Sequence, residues 1–198
     1  MTRAGGARSG VAGRRVALLR GINVGTARRI AMADLRELFE RLGYRDVRTL
    51  LNSGNVVFAG PAQGGAGEGA RIEKAILERL KVATRVTVLS AKEVAEAVRA
   101  HPFGAIADDP ARFLIMALRD SKAAARMKSL LDERWAPEAL ALGKRVAYLW
   151  CANGILDSPL WTAAGRAVGD AGTARNLSTM TKILELVGRV DPGRKARA

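Results

Sequence analysis

Arg15-Val16-Ala17-Leu18-Leu19-Arg20 runs directly into Gly21-Ile22-Asn23-Val24-Gly25, and the fold turns on how this stretch is read. Between the two arginines the side chains are apolar without alternation, the pattern of a β-strand covered on both faces. Gly21 and Gly25 end that strand in a loop. Beyond it, apolar residues at 32, 35, 38, 39 and 42 have helical spacing, and Gly43 supplies the stop. Residues 47–51 and 56–58 flank Asn52-Ser53-Gly54-Asn55, turn residues between apolar runs that predict a hairpin. Residues 60–69 are rich in Gly and Ala and are expected to form a loose, disordered loop. Ile72, Ile76 and Leu80 mark the next helix, and Val86 and Val88 alternate with Arg85 and Thr87 as a half-exposed strand. The order β-α-β-β-α-β is that of a ferredoxin-like unit.

The same order recurs downstream. Ser90-Ala91-Lys92-Glu93 has the form of a capping box and opens a helix to about His101, where Pro102 ends it. This helix is expected to connect two halves. Residues 112–118 then predict a strand, and 121–133 a helix with Met127, Leu130 and Leu131 facing inward. Residues 138–142 and 145–151 form a second hairpin across Gly143-Lys144. Ser158-Pro159 caps a helix that stops near Gly169, and a short strand follows at 171–174. A last helix carries Met180, Ile183, Leu184 and Val187 at i, i+3, i+4, i+7. The expected architecture is therefore α+β: two ferredoxin-like βαββαβ halves in tandem, at 15–89 and 106–188. A connector helix at 90–105, a C-terminal helix and flexible basic tails at 1–14 and 189–198 complete it.

Of the 198 residues 48% are apolar and 26% charged, ordinary values for a soluble globular protein, and no run approaches the length a membrane helix needs. The basic, Gly/Ala-rich residues 1–15 lack the apolar centre of a secretory signal. A single cysteine, Cys151, excludes an internal disulfide framework and fits a reducing cytoplasm. The net charge of +14 points towards polyanions. Half of that excess lies at the two ends, however: residues 1–15 and 189–198 carry eight basic residues against Asp191. Weak nucleic-acid association through the tails and simple solubility are both open readings.

Strand order places the end of the first strand beside the turn between the second and third. Arg20, Gly21, Asn23, Gly25, Arg28 and Arg29 should therefore adjoin Ser53, Gly54 and Asn55. Glycines permit close approach of backbone to a ligand, and arginine offers a fork for phosphate or carboxylate. The alternative is that the glycines satisfy turn dihedrals and the asparagines bond the backbone. The spacing matches neither a Walker loop nor a Rossmann fingerprint. A second cluster, Arg175-Asn176-Leu177-Ser178-Thr179 with Lys182, precedes and enters the last helix. Asn176 or Ser178 suits an N-cap, while Arg175 opposes the helix dipole unless something compensates it. A composite site requires Arg20 and Arg175 to share one concavity.

His101 reads as a helix-end residue, Cys151 as buried packing, Asp108-Asp109-Pro110 as a turn, and the three tryptophans as core. One histidine and one cysteine cannot form a Cys/His metal cluster. Phe113 and Tyr148 could pair, but the surrounding residues do not match an RNA-recognition motif. The residues name no cofactor and no oligomeric state. They leave three functions open: binding of an anion (nucleotide, phosphorylated metabolite or nucleic acid), small-molecule catalysis by the same donors, or a structural module using an exposed sheet face.

Residues 16–25, with Met32-Ala33-Asp34-Leu35, Val47-Arg48-Thr49 and residues 53–58, closely resemble the family called domain of unknown function 1697. Tyr148-Leu149-Trp150 with Asn153-Gly154, and residues 173–176 with Thr179, Lys182, Glu185 and Leu186, extend the resemblance over roughly 14–188. It implies a cytoplasmic prokaryotic protein of two ferredoxin-like halves, and it brings no activity, substrate or cofactor. Thr26, Leu177 and Ala152 stand where the family usually has a glycine, an aromatic and a proline.

Overall fold

The computed structural model describes residues 13–23, 29–60 and 67–189. Gly25, Arg28, most of both basic tails and residues 61–66 of the expected loose loop lie outside the described residues. The first half comprises β1 (Arg14–Leu19), α1 (Met32–Arg41), β2 (Arg45–Leu50), β3 (Asn55–Ala59), α2 (Glu68–Leu80) and β4 (Val86–Ser90). After α3 (Ala91–Arg99) the second half comprises β5 (Phe113–Leu118), α4 (Ser121–Lys128), β6 (Ala139–Leu142), β7 (Val146–Trp150), α5 (Pro159–Val168) and β8 (Gly172–Asn176), and α6 (Leu177–Gly188) follows. The sheets have the orders β2-β3-β1-β4 and β6-β7-β5-β8, with every neighbouring pair antiparallel. The protein is thus two tandem ferredoxin-like halves.

β1 shows why a continuous apolar run was needed. Ala17 and Leu19 pack with Leu35, Phe39, Ile72 and Ile76 of α1 and α2, whereas Val16 and Leu18 enter a core shared with the other half. β5 repeats the division: Leu114, Met116 and Leu118 face α4 and α5, and Phe113, Ile115 and Ala117 face inward. Between the two sheets lie α3 and α6, which pack on each other and contribute Val94, Ala97, Met180, Ile183 and Val187 to the shared core. Both faces of each sheet are therefore covered by helices.

Each half is followed by its own helix, capped at the end of its last strand. Ser90 accepts from the Glu93 N–H while Glu93 accepts from the Ser90 N–H, closing the capping box of α3. Asn176 accepts from the Thr179 N–H at 2.9 Å and caps α6 in the same way. The helix expected as a connector thus has α6 as its counterpart in the second half.

Several expectations change in detail. Thr87 is buried, not exposed, because β4 is covered on both faces. The helix of 121–133 stops at Lys128 and continues as a 3-10 turn over Ser129–Asp132, whose tighter winding turns Leu130 inward and Leu131 out. Glu68 and Gly69 belong to α2 and not to the preceding loop, and α3 ends at Arg99, before His101. The open edge of β4 is occupied by side chains: Glu73 accepts from the Val86 N–H at 2.8 Å, and Arg145 donates to the Val88 carbonyl at 3.3 Å. Such cover protects an edge strand from adventitious pairing.

Candidate functional site

The end of β1 and the β2–β3 turn do meet. The Leu19 N–H donates to the Gly54 carbonyl at 2.8 Å, and Leu18 lies opposite Asn55 in the strand register. Gly54 has φ +74°, and a Cβ there would stand 2.7 Å from both Leu19 Cβ and Ile22 Cδ1. Only glycine satisfies the turn and the close approach together. Asn23, itself left-handed at φ +54°, bridges the ends of its own loop to the turn. Its Nδ2 donates to the carbonyls of Ile30 at 3.0 Å and Asn52 at 2.8 Å, and its Oδ1 accepts from the Ile30 N–H at 2.8 Å.

Asn55 is fully buried. Its Nδ2 donates to the Leu50 carbonyl and to Ser53 Oγ, and its Oδ1 accepts from Arg175 Nε at 2.6 Å. Arg175 therefore crosses from the second half into the first. Its remaining donors reach the carbonyls of Ala174 (2.8 Å), Leu19 (2.7 Å) and Ser53 (2.8 Å). The compensation that Arg175 needs before α6 thus comes from four neutral oxygens. Burial pulls its guanidinium pKa down to about 10, so it remains charged at neutral pH. Arg175, Asn23, Ser53, Gly54 and Asn55 converge at this joint, and most of the polar atoms of Asn23, Asn55 and Arg175 are engaged within it.

Arg20 has a different environment. Its side chain donates to the Gly172 carbonyl of the second half, its N–H to the Arg85 carbonyl, and its own carbonyl accepts from Thr84 Oγ1 at 2.8 Å. Gly21 beside it is left-handed at φ +61° and exposed. Arg20 lines a cleft of about 560 Å³ with Glu73, Lys74, Leu77, Thr84, Arg85 and Asp170. Among the described residues Arg175 does not line this cleft, and Arg20 has no carboxylate within ion-pair distance.

Glu73, Arg85 and Asp170 of the cleft join Arg119 outside it in an alternating chain across the two halves. Arg119 pairs with Glu73, Glu73 with Arg85 at 3.4 Å, and Arg85 with Asp170 at 2.7 Å. The hydrogen bond from Arg85 holds the Asp170 carboxyl below its ordinary range. Beyond it Arg145 pairs with Glu93 at 3.0 Å. Burial pushes the Glu93 carboxyl up, but the Ser90 donors and Arg145 outweigh it and leave the pKa lowered. None of Glu73, Arg85, Arg119 or Asp170 stands in a recognisable local motif. One signal was available: Arg119 follows β5 as Arg20 follows β1, and the N–H of each bonds the carbonyl that precedes the last strand of its half.

The remaining candidates lie elsewhere. Asn176 and Thr179 make the α6 cap, and Lys182 is exposed on that helix. His101 packs its ring edge-on to Phe113, with centroids 5.2 Å apart. Cys151 is buried, which raises its thiol pKa. Asp109 accepts from the Ala111 N–H, completing a turn. Phe113 and Tyr148 do adjoin, but both are buried in the shared core, where no base could stack on them. Among the described residues no three His, Cys, Asp or Glu side chains are placed to hold a metal, and no helix is long and apolar enough to cross a membrane.

The fold and its joint define a class: two ferredoxin-like halves sharing one helical layer and tied by arginines that reach from each half into the other. The sequence profile of the family described as protein of unknown function, DUF1697, matches residues 13–148, and the chain belongs to that family. Its fold is similar to that of a conserved bacterial protein from Streptococcus pneumoniae, with a TM-score of 0.67 and 20% identity over 88% of this chain and 98% of that one. A comparison with curated proteins gives no match.

Proposed function

We propose that this protein binds a small anionic ligand, and that Arg20, at the end of the strand on which the fold turns, receives the anionic group. The observation that carries the reading is the contrast in partners at Arg20. This arginine lines an open cleft, lacks a carboxylate partner among the described residues, and has donors beyond the one directed at Gly172. Lys74 adds a second cation, which makes a 3.8 Å pair with Glu78 at the surface. The joint of Asn23, Ser53, Gly54, Asn55 and Arg175 supports this site by fixing the end of β1 rather than by contacting the ligand.

The test is a thermal-shift screen of phosphates, nucleotides and carboxylates at constant ionic strength, with the wild type beside Arg20→Gln. A ligand at about 100 times its Kd stabilises by about 2.7 kcal/mol. The expected result is a concentration-dependent shift in the wild type that Arg20→Gln loses. A screen without any shift, or a shift that survives Arg20→Gln unchanged, would defeat the reading. A shift produced only by nucleic acid and removed with the tails would assign the positive charge to loose polyanion attraction instead.

A further inference from the structure

The cleft beside Arg20 has an apolar component that an inorganic anion would not use. Its α2 wall is built from Ala70, Glu73, Lys74 and Leu77, at i, i+3, i+4 and i+7, so they form one stripe of the helix. Leu77 leaves 52% of its surface exposed, although its neighbour Ile76 is completely buried. Ala83 also lines the cleft. An exposed leucine alone is unremarkable on a surface. Here it lies in the same cleft as Arg20, which has no carboxylate partner among the described residues.

The acids of the cleft narrow the chemistry further. Glu73 already receives Arg119, Arg85 and the Val86 N–H, and Asp170 receives Arg85. An ammonium group on a ligand would have to compete with two arginines for Glu73 and with Arg85 for Asp170. The other end of the ligand therefore meets Ala70, Leu77 and Ala83 more readily than a negative charge.

Building on the anion-binding reading above, we infer that the ligand is an amphipathic anion: a carboxylate or phosphate head at Arg20 joined to a short, uncharged apolar body over Leu77. It is neither a bare phosphate nor a zwitterion. Burial of each methylene against Leu77 and Ala83 strengthens binding by up to about fourfold until the body outgrows the cleft.

Calorimetric or NMR titration of the full chain at fixed ionic strength tests this with acetate, butanoate, hexanoate, hexyl phosphate, inorganic phosphate and norleucine. Hexanoate is expected to bind at least tenfold more tightly than acetate, hexyl phosphate more tightly than inorganic phosphate, and norleucine more weakly than hexanoate. Leu77→Gln, an exposed helical position, should remove most of the chain-length gain, and a gain that survives it overturns the apolar contact. Equal affinity for acetate and hexanoate, or norleucine binding as well as hexanoate, overturns the amphipathic class while Arg20-dependent anion binding stands. If none of these probes binds, both readings fall together.

Discussion

Two arginines meet the end of β1 from opposite directions, and they are satisfied in different ways. Arg175 comes from the second half and spends its donors on Asn55 and three backbone carbonyls of the joint. Arg20 comes from the first half, gives one bond to the Gly172 carbonyl and borders a cleft. A buried cation surrounded by fixed oxygens is a structural tie, because moving it would strand each acceptor. A cation at the edge of a cleft can change partners at little cost. The difference separates what holds the halves together from what is free to bind.

The comparison is challenged most strongly at Gly54. Alanine there would combine a left-handed backbone with contacts of 2.7 Å to Leu19 and Ile22. Together these should cost about 3 kcal/mol, read as a lower denaturation midpoint with an unchanged denaturant slope. A loss below 1 kcal/mol would show that the turn can move, and the joint would not be rigid. Arg175→Gln should come next, at about 2–3 kcal/mol, because a shorter neutral amide cannot reach all four oxygens. Arg175→Lys should recover only part of the loss, since an ammonium cannot reproduce the planar fork. Full recovery by lysine would mean that charge, and not the pattern of bonds, makes the tie.

Much of this joint is legible in the sequence. The run Val16-Ala17-Leu18-Leu19 has no polar face because helices cover both sides of its sheet, and turn residues at 52–55 marked the hairpin beside it. Ferredoxin-like strand order then brought Asn23 and Asn55 to one end. What local pattern could not show was the partner of each donor. Arg175 and Asn55 are 120 positions apart, and Arg119 and Glu73 are 46 apart, so only the packing of two halves pairs them. The burial of Thr87 is hidden from local pattern for the same reason: its alternating strand looks half-exposed until the second sheet and the α3–α6 layer are in place.

A smaller effect is expected where Arg145 joins Glu93 on the same boundary between halves. The lowered carboxyl pKa of Glu93 means that the native state holds its proton more weakly than the unfolded chain does. Its contribution is complete above the ordinary carboxylate value of about 4.3 and is lost as the pH falls through the lowered one. Because the pair is partly exposed, the contribution is about 1 kcal/mol at most. Glu93→Gln should flatten that limb of the stability–pH curve, measured by urea denaturation from pH 7 to pH 3. An unchanged limb would place the acid sensitivity at other carboxylates.

The smallest expected loss is the one that best separates the two regions. Arg20→Gln removes the bond to the Gly172 carbonyl, worth about 1 kcal/mol or less where water can take its place. The main-chain bonds of residue 20 to Arg85 and Thr84 do not depend on its side chain and should persist. The Gln variants at 20 and 175 should therefore differ by at least about 1 kcal/mol, although both arginines cross between the halves at the end of one strand. If Arg20→Gln proves as damaging as Arg175→Gln, Arg20 belongs to the tie, and the anion would have to be sought at Lys74 and Arg85 instead. If the loss is small and anion binding disappears with it, the two arginines have separate duties, one closing the joint and the other serving the cleft.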